Sequence, residues 1–416
     1  MDGAAIAWVL ASTALVLFMT PGLALFYGGL DESKNVSNMM GMNLYCMGIV
    51  PILWVVCVYA LSFGNFGGQG NPFIGDLEWA GLNNVTNPES LRDITFLATF
   101  AIITPALISG AVAGRMKFRA WAWFVPLWLI FVYAPITHWV FAPAGWILNL
   151  PSYDFAGGTS IHINAGVAAL VLSKMLGPRR GWPSTQKPPH NLSLVALGTG
   201  ILWLGWFGFN AGSALEANEV AVEAFTNTLL AASAGMLGWV IVEHLSGVRV
   251  NIVGICSGVI AALVAITPGC AVVRPWAAIL IGFIASMLCF LALGLKKKFN
   301  YDDSLDVVGI HGVGGIVGAL MIGFLADNSV SSLVAAPYWD AEGNWVEASL
   351  EGLFFSASGQ LLLHQFYAVI STIAYCALGT FVIAWVLKKT IGLRASDEAQ
   401  IAGLDHSEHS SSSYLL

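Results

Sequence analysis

The sequence predicts an all-α polytopic membrane protein. Its eleven transmembrane helices form two five-helix inverted repeats plus a last helix, with the N-terminus outside and the C-terminus inside. Three observations carry this prediction. The 416 residues are 57% hydrophobic and only 10% charged, where a soluble domain is about 25% charged. Apolar stretches of membrane length recur along the whole chain. Lysine and arginine fall almost entirely in alternate connections.

A spanning helix takes about 20 mostly apolar residues. Eleven such stretches lie roughly at 5–28, 39–63, 95–114, 121–140, 158–176, 192–211, 225–244, 252–267, 273–295, 308–325 and 362–387. The opening "MDGAAIAWVLASTALVLFM" has no basic start and runs apolar past signal-peptide length. It reads as the first span rather than a cleaved leader. The 45 glycines suit membrane helices, where small residues let backbones approach closely. Cys46, Cys57, Cys256, Cys270, Cys289 and Cys376 lie in or beside apolar stretches with no CxxC or Cys/His pairing. They read as small core hydrophobes. A net charge of -7 gives no nucleic-acid footprint.

Orientation follows from the excess of basic residues on the cytoplasmic side. The odd connections and the tail hold Lys34; Arg115, Lys117 and Arg119; Lys174, Arg179, Arg180 and Lys187; Arg249; Lys296, Lys297 and Lys298; and Lys388, Lys389 and Arg394. The even connections hold only Arg92 and Arg274. This alternation fixes an odd number of spans and a cytoplasmic C-terminus. The chain divides into a transmembrane domain over 1–390 and a cytoplasmic regulatory tail over 391–416. The repeats run roughly 5–176 and 192–325, and the last helix roughly 362–387.

The repeat rests on "HINAGVAALV" at 162 and "HGVGGIVGAL" at 311. Each His begins a span, the fifth and the tenth, and each follows an Asp, Asp154 and Asp306. Halves of five spans have opposite topology, which places a pathway at their interface near the midplane. Ionisable residues inside spans are rare and usually functional. His162 and His311, one from each half, can meet near the pseudo-twofold axis. A neutral imidazole offers one donor and one acceptor, so it can pass a small polar molecule without fixed charge. Asp154 either caps its helix or lends a negative field that favours a nearby cation; Asp306 reads as structural.

His138, His190, His244, His364, His406 and His409 lie toward the edges or in the tail. HExxH, Walker and GxGxxG patterns are missing, so metalloenzyme chemistry and ATP-driven transport lack their parts. No cofactor or metal is expected. Phe96 and Phe100 share a face at the start of span three; Trp206, Phe209 and Ser213 share one at the end of span six. Both ends are extracellular by orientation. They form either an aromatic cup for a small cation or part of the interfacial belt.

Together, "ALVLFMTPGLALFYGGL", "DFAGGTSIHINAG", "GWFGFNAGSA", "NTLLAASAG", "CSGVIAALVAITPGC" and "DVVGIHGVGGIVG" resemble the ammonium transporter family, Amt/Mep/Rh, over nearly the whole chain. The likeness is to its bacterial Amt branch. The resemblance implies a homotrimer in the bacterial cytoplasmic membrane, with a narrow hydrophobic pore through each protomer. His162 and His311 match the twin pore histidines, and Phe100 and Phe209 the stacked gate. Phe100 and Ser213 match the outer ammonium site, Asp154 its supporting carboxylate, and Trp206 an aromatic beside the pore. The family's outer site usually has Trp in the segment after span four. Here "THWVFAPAGW" puts Phe141 there, with Trp139 two residues earlier. Phe keeps a π face but has no indole N–H. The tail "EAQIAGLDHSEHSSSSYLL" resembles the segment that works with PII-type signalling proteins.

The expected function is ammonium transport, not enzymatic chemistry. An outer aromatic site recruits the cation and the ion loses its proton. Ammonia then passes inward between the histidines, with or without a separately moving proton. An ammonium sensor with little transport and a neutral gas channel are the alternatives.

Overall fold

A computed structural model describes residues 3–65, 70–184, 188–331, 336–339, 345–348, 350–409 and 413–414. Lys187 and the serines at 410–412 lie outside the described residues. Among those described, ten helices are long and apolar enough to cross a membrane. They are α1 (Gly3–Leu30), α2 (Ser33–Phe63), α3 (Pro88–Val112), α4 (Phe118–Phe141), α5 (Gly158–Leu176), α6 (Leu192–Gly212), α7 (Glu219–Leu245), α9 (Pro275–Lys298), α10 (Val308–Leu325) and α11 (Gln360–Thr390). The eighth predicted stretch is a shorter apolar helix, α8 (Ile252–Ile266). Twelve of its 15 residues are buried. It is sheathed by neighbouring helices, which spares it the length that lipid contact demands.

One element departs from the all-helical reading. A two-stranded antiparallel hairpin, β1 (Ala336–Trp339) and β2 (Trp345–Ala348), pairs Ala336 with Ala348 and Trp339 with Trp345 in the connection before α11. Its sequence signal is aromatic and β-branched residues on either side of Gly343-Asn344.

Local chemistry starts and bends the helices. Asn87, Asn191, Asn218 and Asn251 each accept a backbone N–H of the first turn, capping α3, α6, α7 and α8. Such caps satisfy donors that have no partner inside the helix. Inside α2, Pro51 precedes a π-helical turn at Trp54–Val58; inside α4, Pro126 precedes another at Leu129–Tyr133. Proline has no N–H for the preceding turn, so the hydrogen-bond ladder shifts register around it.

Two close approaches position the site. α1 and α6 pack along their length, and a methyl added at Gly198 would lie 2.5 Å from the Phe26 amide N. α5 and α10 cross backbone to backbone. A methyl at Gly166 would collide with the Cα and N of Gly312, and one at Gly315 would lie 3.1 Å from the N of Ile163. Gly166 and Gly315 each stand four residues after a histidine, His162 or His311; Gly312 and Ile163 each stand one after. The contact is therefore reciprocal, the signature of two elements related by a twofold.

The tail is docked on the bundle. The Ala395 N–H donates to the Arg115 carbonyl at 2.9 Å. Two short helices, α12 (Asp397–Ala402) and α13 (Leu404–His409), follow. The Asp405 carboxylate accepts the N–H groups of Ser37 (3.0 Å) and Asn38 (2.8 Å) near the start of α2. Glu408 accepts the N–H of Phe118, the first residue of α4, at 3.0 Å.

Candidate conduction site

At the bundle end opposite the tail, a vestibule of about 210 Å³ opens between α2, α3, α4 and the end of α6. Phe100, Phe141 and Ser213 line it, with Trp54, Tyr133 and Phe155. Seven of its twelve lining residues are aromatic. The Ser213 hydroxyl donates to the Phe209 carbonyl at 2.8 Å. That leaves its oxygen lone pairs free to face a cation. Phe141 and Ser213 are half-buried, as a mouth requires.

Trp139 does not reach this space. Its indole N–H donates to the Phe73 carbonyl at 2.7 Å, and its ring packs on Trp146 and Tyr375. Trp54 lines the vestibule, but its N–H is spent on the Ile94 carbonyl at 3.0 Å. The vestibule therefore offers π faces and hydroxyls, with no free indole donor from either tryptophan.

Phe100 lines the vestibule and Phe209 the cavity next to it. Their rings stack at 4.3 Å between centroids, 21° from parallel, and Phe96 supports Phe100 edge-on at 4.9 Å. Phe100 is held by α3 and Phe209 by α6. Both are buried in the packed core.

Immediately beyond lie the histidines. His162 Nδ1 and His311 Nδ1 are 3.2 Å apart, with ring centroids 5.3 Å apart and 25° from parallel. A neutral pair at this distance shares one hydrogen bond: one Nδ1 carries the proton and the other accepts it. Both rings are buried, and the His162 Nε2 meets no protein partner. Trp206 stacks on His162 at 5.4 Å and 20°. The Trp206 indole N–H is fixed on the Thr267 hydroxyl at 2.8 Å, just past α8. The cavity at the pair holds about 10 Å³, little more than one water-sized molecule. Its other walls are apolar, including Leu23, Phe26, Ile103 and Ile260.

Each histidine sits in a π-helical turn that begins its span, Gly158–Ile163 and Val308–Val313. Such turns concentrate at functional sites because they re-aim side chains. In the first, the Asp154 Oδ2 accepts the N–H groups of Thr159 (3.0 Å) and Ser160 (3.1 Å). Pairing Asp154 with Asp306 proves wrong. Asp306 has left-handed backbone (φ +66°) and forms an ion pair with Lys296. Asp154 stands eight residues before His162; the residue eight before His311 is Asp303. The Asp303 Oδ2 accepts the N–H of Val308 at 2.7 Å. Position just before the span pointed to Asp306; the matching spacing of eight could have found Asp303.

The fold brings Phe100, Phe209, His162, His311 and Trp206 together, with Phe141 and Ser213 at the mouth and Asp154 under the first π turn. Trp54, Tyr133, Phe155 and Thr267 were missed. Trp54 and Tyr133 belong to helices whose apolar runs give no sign of which face meets a cavity, and Phe155 and Thr267 lie in connections with no distinguishing pattern.

The arrangement sets a stacked pair of rings beside two buried, facing histidines inside a multi-pass membrane bundle. Compared with known proteins, residues 7–414 match the family model described as Ammonium Transporter Family, and the chain belongs to that family. It is 46% identical to an ammonium transporter of Aquifex aeolicus over 100% of this chain and 94% of the relative. It is 45% identical to one of Mycobacterium tuberculosis over 99% of this chain and 90% of the relative. Among solved structures it is similar to Saccharomyces cerevisiae Mep2, with TM-score 0.86 and 31% identity over 96% of this chain and 88% of that one. It is also similar to a structure described as a sensor Amt protein, with TM-score 0.87 and 26% identity over 98% of each chain. The protein is an ammonium transporter and not an enzyme.

Proposed function

We propose that ammonium gathers in the vestibule among Phe100, Phe141 and Ser213, and that ammonia crosses the stacked rings to the histidine pair. The observation that carries this is the Phe100–Phe209 stack set directly above the His162–His311 cavity. Aromatic faces and a hydroxyl replace part of the ion's hydration shell, at about 0.5–2 kcal/mol per ring. The floor is closed to a hydrated ion. A cation in the small apolar cavity beyond would lose hydration that nothing there returns. The species that continues is therefore neutral ammonia, and the proton either stays behind or crosses separately along polar groups. The ion K+ has no proton to give up and is stopped at the same floor. The rings swing apart as ammonia passes, and the shared Nδ1 hydrogen bond offers it an acceptor and a donor in turn.

Asp154 supports the mouth, and Trp206 holds His162 in plane. The distribution of basic residues supports an external N-terminus, a cytoplasmic tail, and a site of action in the bacterial cytoplasmic membrane. The reciprocal contact of α5 and α10 supports two inverted repeats followed by a last helix. Family resemblance supports a homotrimer and a PII-type partner at the cytoplasmic face. The docked tail supplies a surface where such a partner would act.

A second reading, ammonium sensing through the tail, draws support from the likeness to the sensor Amt structure and from Phe141 at the mouth. Uptake in cells lacking their own ammonium transporters separates the two. The transport reading predicts restored growth at low ammonium, and predicts that joint His162→Ala and His311→Ala changes the uptake rate or the rejection of K+. No uptake by well-expressed protein, or a double variant indistinguishable from the parent, contradicts it.

A further inference from the structure

We propose that Asp303 is a positioning residue for His311, bracing the π-helical turn that carries it as Asp154 braces the turn that carries His162. This rests on the histidine-lined pathway proposed above. The two carboxylates share spacing and the kind of partner. Each lies eight residues before its histidine. Each uses Oδ2 to accept the N–H five residues on, Thr159 at 3.0 Å and Val308 at 2.7 Å. Those amides belong to the two π-helical turns that carry the histidines. In each carboxylate, Oδ1 accepts no protein donor.

The two differ in what anchors them. Asp303 is fully buried, while Asp154 is half-buried beside the vestibule side of the bundle. The backbone on either side of Asp303 is clamped. The fully buried Arg115 guanidinium donates to the Asp302 carbonyl and the Ser304 hydroxyl, and also to the Gly177 carbonyl at 3.0 Å. Asp302 is further held by Arg179 at 2.7 Å. The Lys296 ammonium donates to the Asp303 carbonyl at 3.2 Å. Asp303 is thus a fixed acceptor at the base of a turn that is otherwise free to change register, and the aim of His311 toward His162 depends on that register.

A positioning carboxylate here acts through an acceptor oxygen, not through charge. The amide oxygen of Asn can replace it, whereas Ala cannot. In purified protein reconstituted into liposomes, Asp303→Ala is expected to lower maximal ammonium uptake by about tenfold or more, since small misplacements of a reacting group cost that much or more. The half-saturating concentration stays unchanged, because the vestibule is untouched. Asp303→Asn is expected to keep uptake within about twofold of the parent, the cap being conserved. In the background of His311→Ala, Asp303→Ala adds no further loss, because a residue that acts through another is not additive with it.

Losses that add in the double variant, an Asn variant as slow as the Ala variant, or parent-like uptake by Asp303→Ala each overturn the proposal. Where Asp303→Ala does not fold, Asp303→Asn decides alone: parent-like uptake supports the cap, and a tenfold loss in folded protein overturns it. Uptake by the parent in the same liposomes tests the transport reading separately.

Discussion

Phe141 occupies the vestibule while Trp139 turns away to Phe73, and under the proposed function this pair sets the recognition chemistry of the mouth. A benzene ring attracts a cation less strongly than an indole. Replacing Phe141 by Trp restores the stronger face without changing the backbone. Phe141→Trp is expected to lower the half-saturating ammonium concentration by roughly two- to tenfold, a gain of about 0.4–1.4 kcal/mol. Concentration-dependent uptake checks it, and an unchanged or raised value removes Phe141 from the recruitment site. Asp154 makes the second residue-scale case. Asp154→Ala leaves the Thr159 and Ser160 amides without their acceptor and is expected to weaken both outer binding and transport. Normal uptake at normal protein levels would remove its supporting role. His162, His311, Phe100 and Phe209 were legible as residue types out of place in an apolar chain, or as family matches. Thr267 was not, because a hydroxyl after an apolar helix looks like any helix end until Trp206 is seen to donate to it.

At the scale of elements, His162 and His311 come together because α5 and α10 meet without side chains between them. Gly166 packs on Gly312 and Gly315 on Ile163, which brings the two π turns within reach of each other. Gly166→Ala forces a methyl into the Gly312 backbone. It is expected to destabilise the protein by about 1–3 kcal/mol, as overpacking of a tight core does. Thermal unfolding in detergent measures it; a variant as stable as the parent means that the crossing yields easily. Helix caps give a milder case. Asn191→Ala removes the acceptor for the Leu194 N–H, 3.0 Å away, and should cost about 1 kcal/mol in the same assay. The spans were readable because a membrane leaves few options: length, apolarity and alternating basic connections all agree. The π turns were not readable, since a one-residue shift of the hydrogen-bond ladder leaves no mark on composition. The hairpin at Ala336–Trp339 and Trp345–Ala348 carried an ordinary signal, but one overshadowed by the stronger helical pattern on either side.

At the scale of the whole molecule, the tail end is a polar network that ties separate connections together. Arg115 bridges the connections after α5 and before α10, and its own carbonyl receives the tail at Ala395. Buried carboxylates in this layer respond to pH. Burial pushes Asp31 up to about 6, more than the Glu32 backbone N–H and Arg179 pull it down. Burial likewise pushes Asp303 up to about 6 against the pull of Lys296. A carboxyl raised in the folded state contributes stability that is complete below its unfolded value of 3.8 and lost as pH rises through about 6. The solubilised protein is therefore expected to unfold at a higher temperature near pH 5 than near pH 7.5. Asp31→Asn should flatten that difference, and an identical pH profile would show that the Asp31 carboxyl does not drive it.

Selective ammonium conduction past the stacked Phe100 and Phe209 rings and the His162–His311 pair is open to direct measurement. Solid-supported-membrane electrophysiology on the reconstituted protein tests it most directly, with pulses of ammonium and then of K+. If the proton crosses separately, a saturable ammonium current appears; if it stays behind, ammonium leaves the charge signal flat but shifts an internal pH dye. In both cases K+ gives no current in the parent, and His162→Ala with His311→Ala alters the rate or admits K+. A K+ current equal to that of ammonium in the parent, or a double-histidine variant matching the parent in both pulses, contradicts the account.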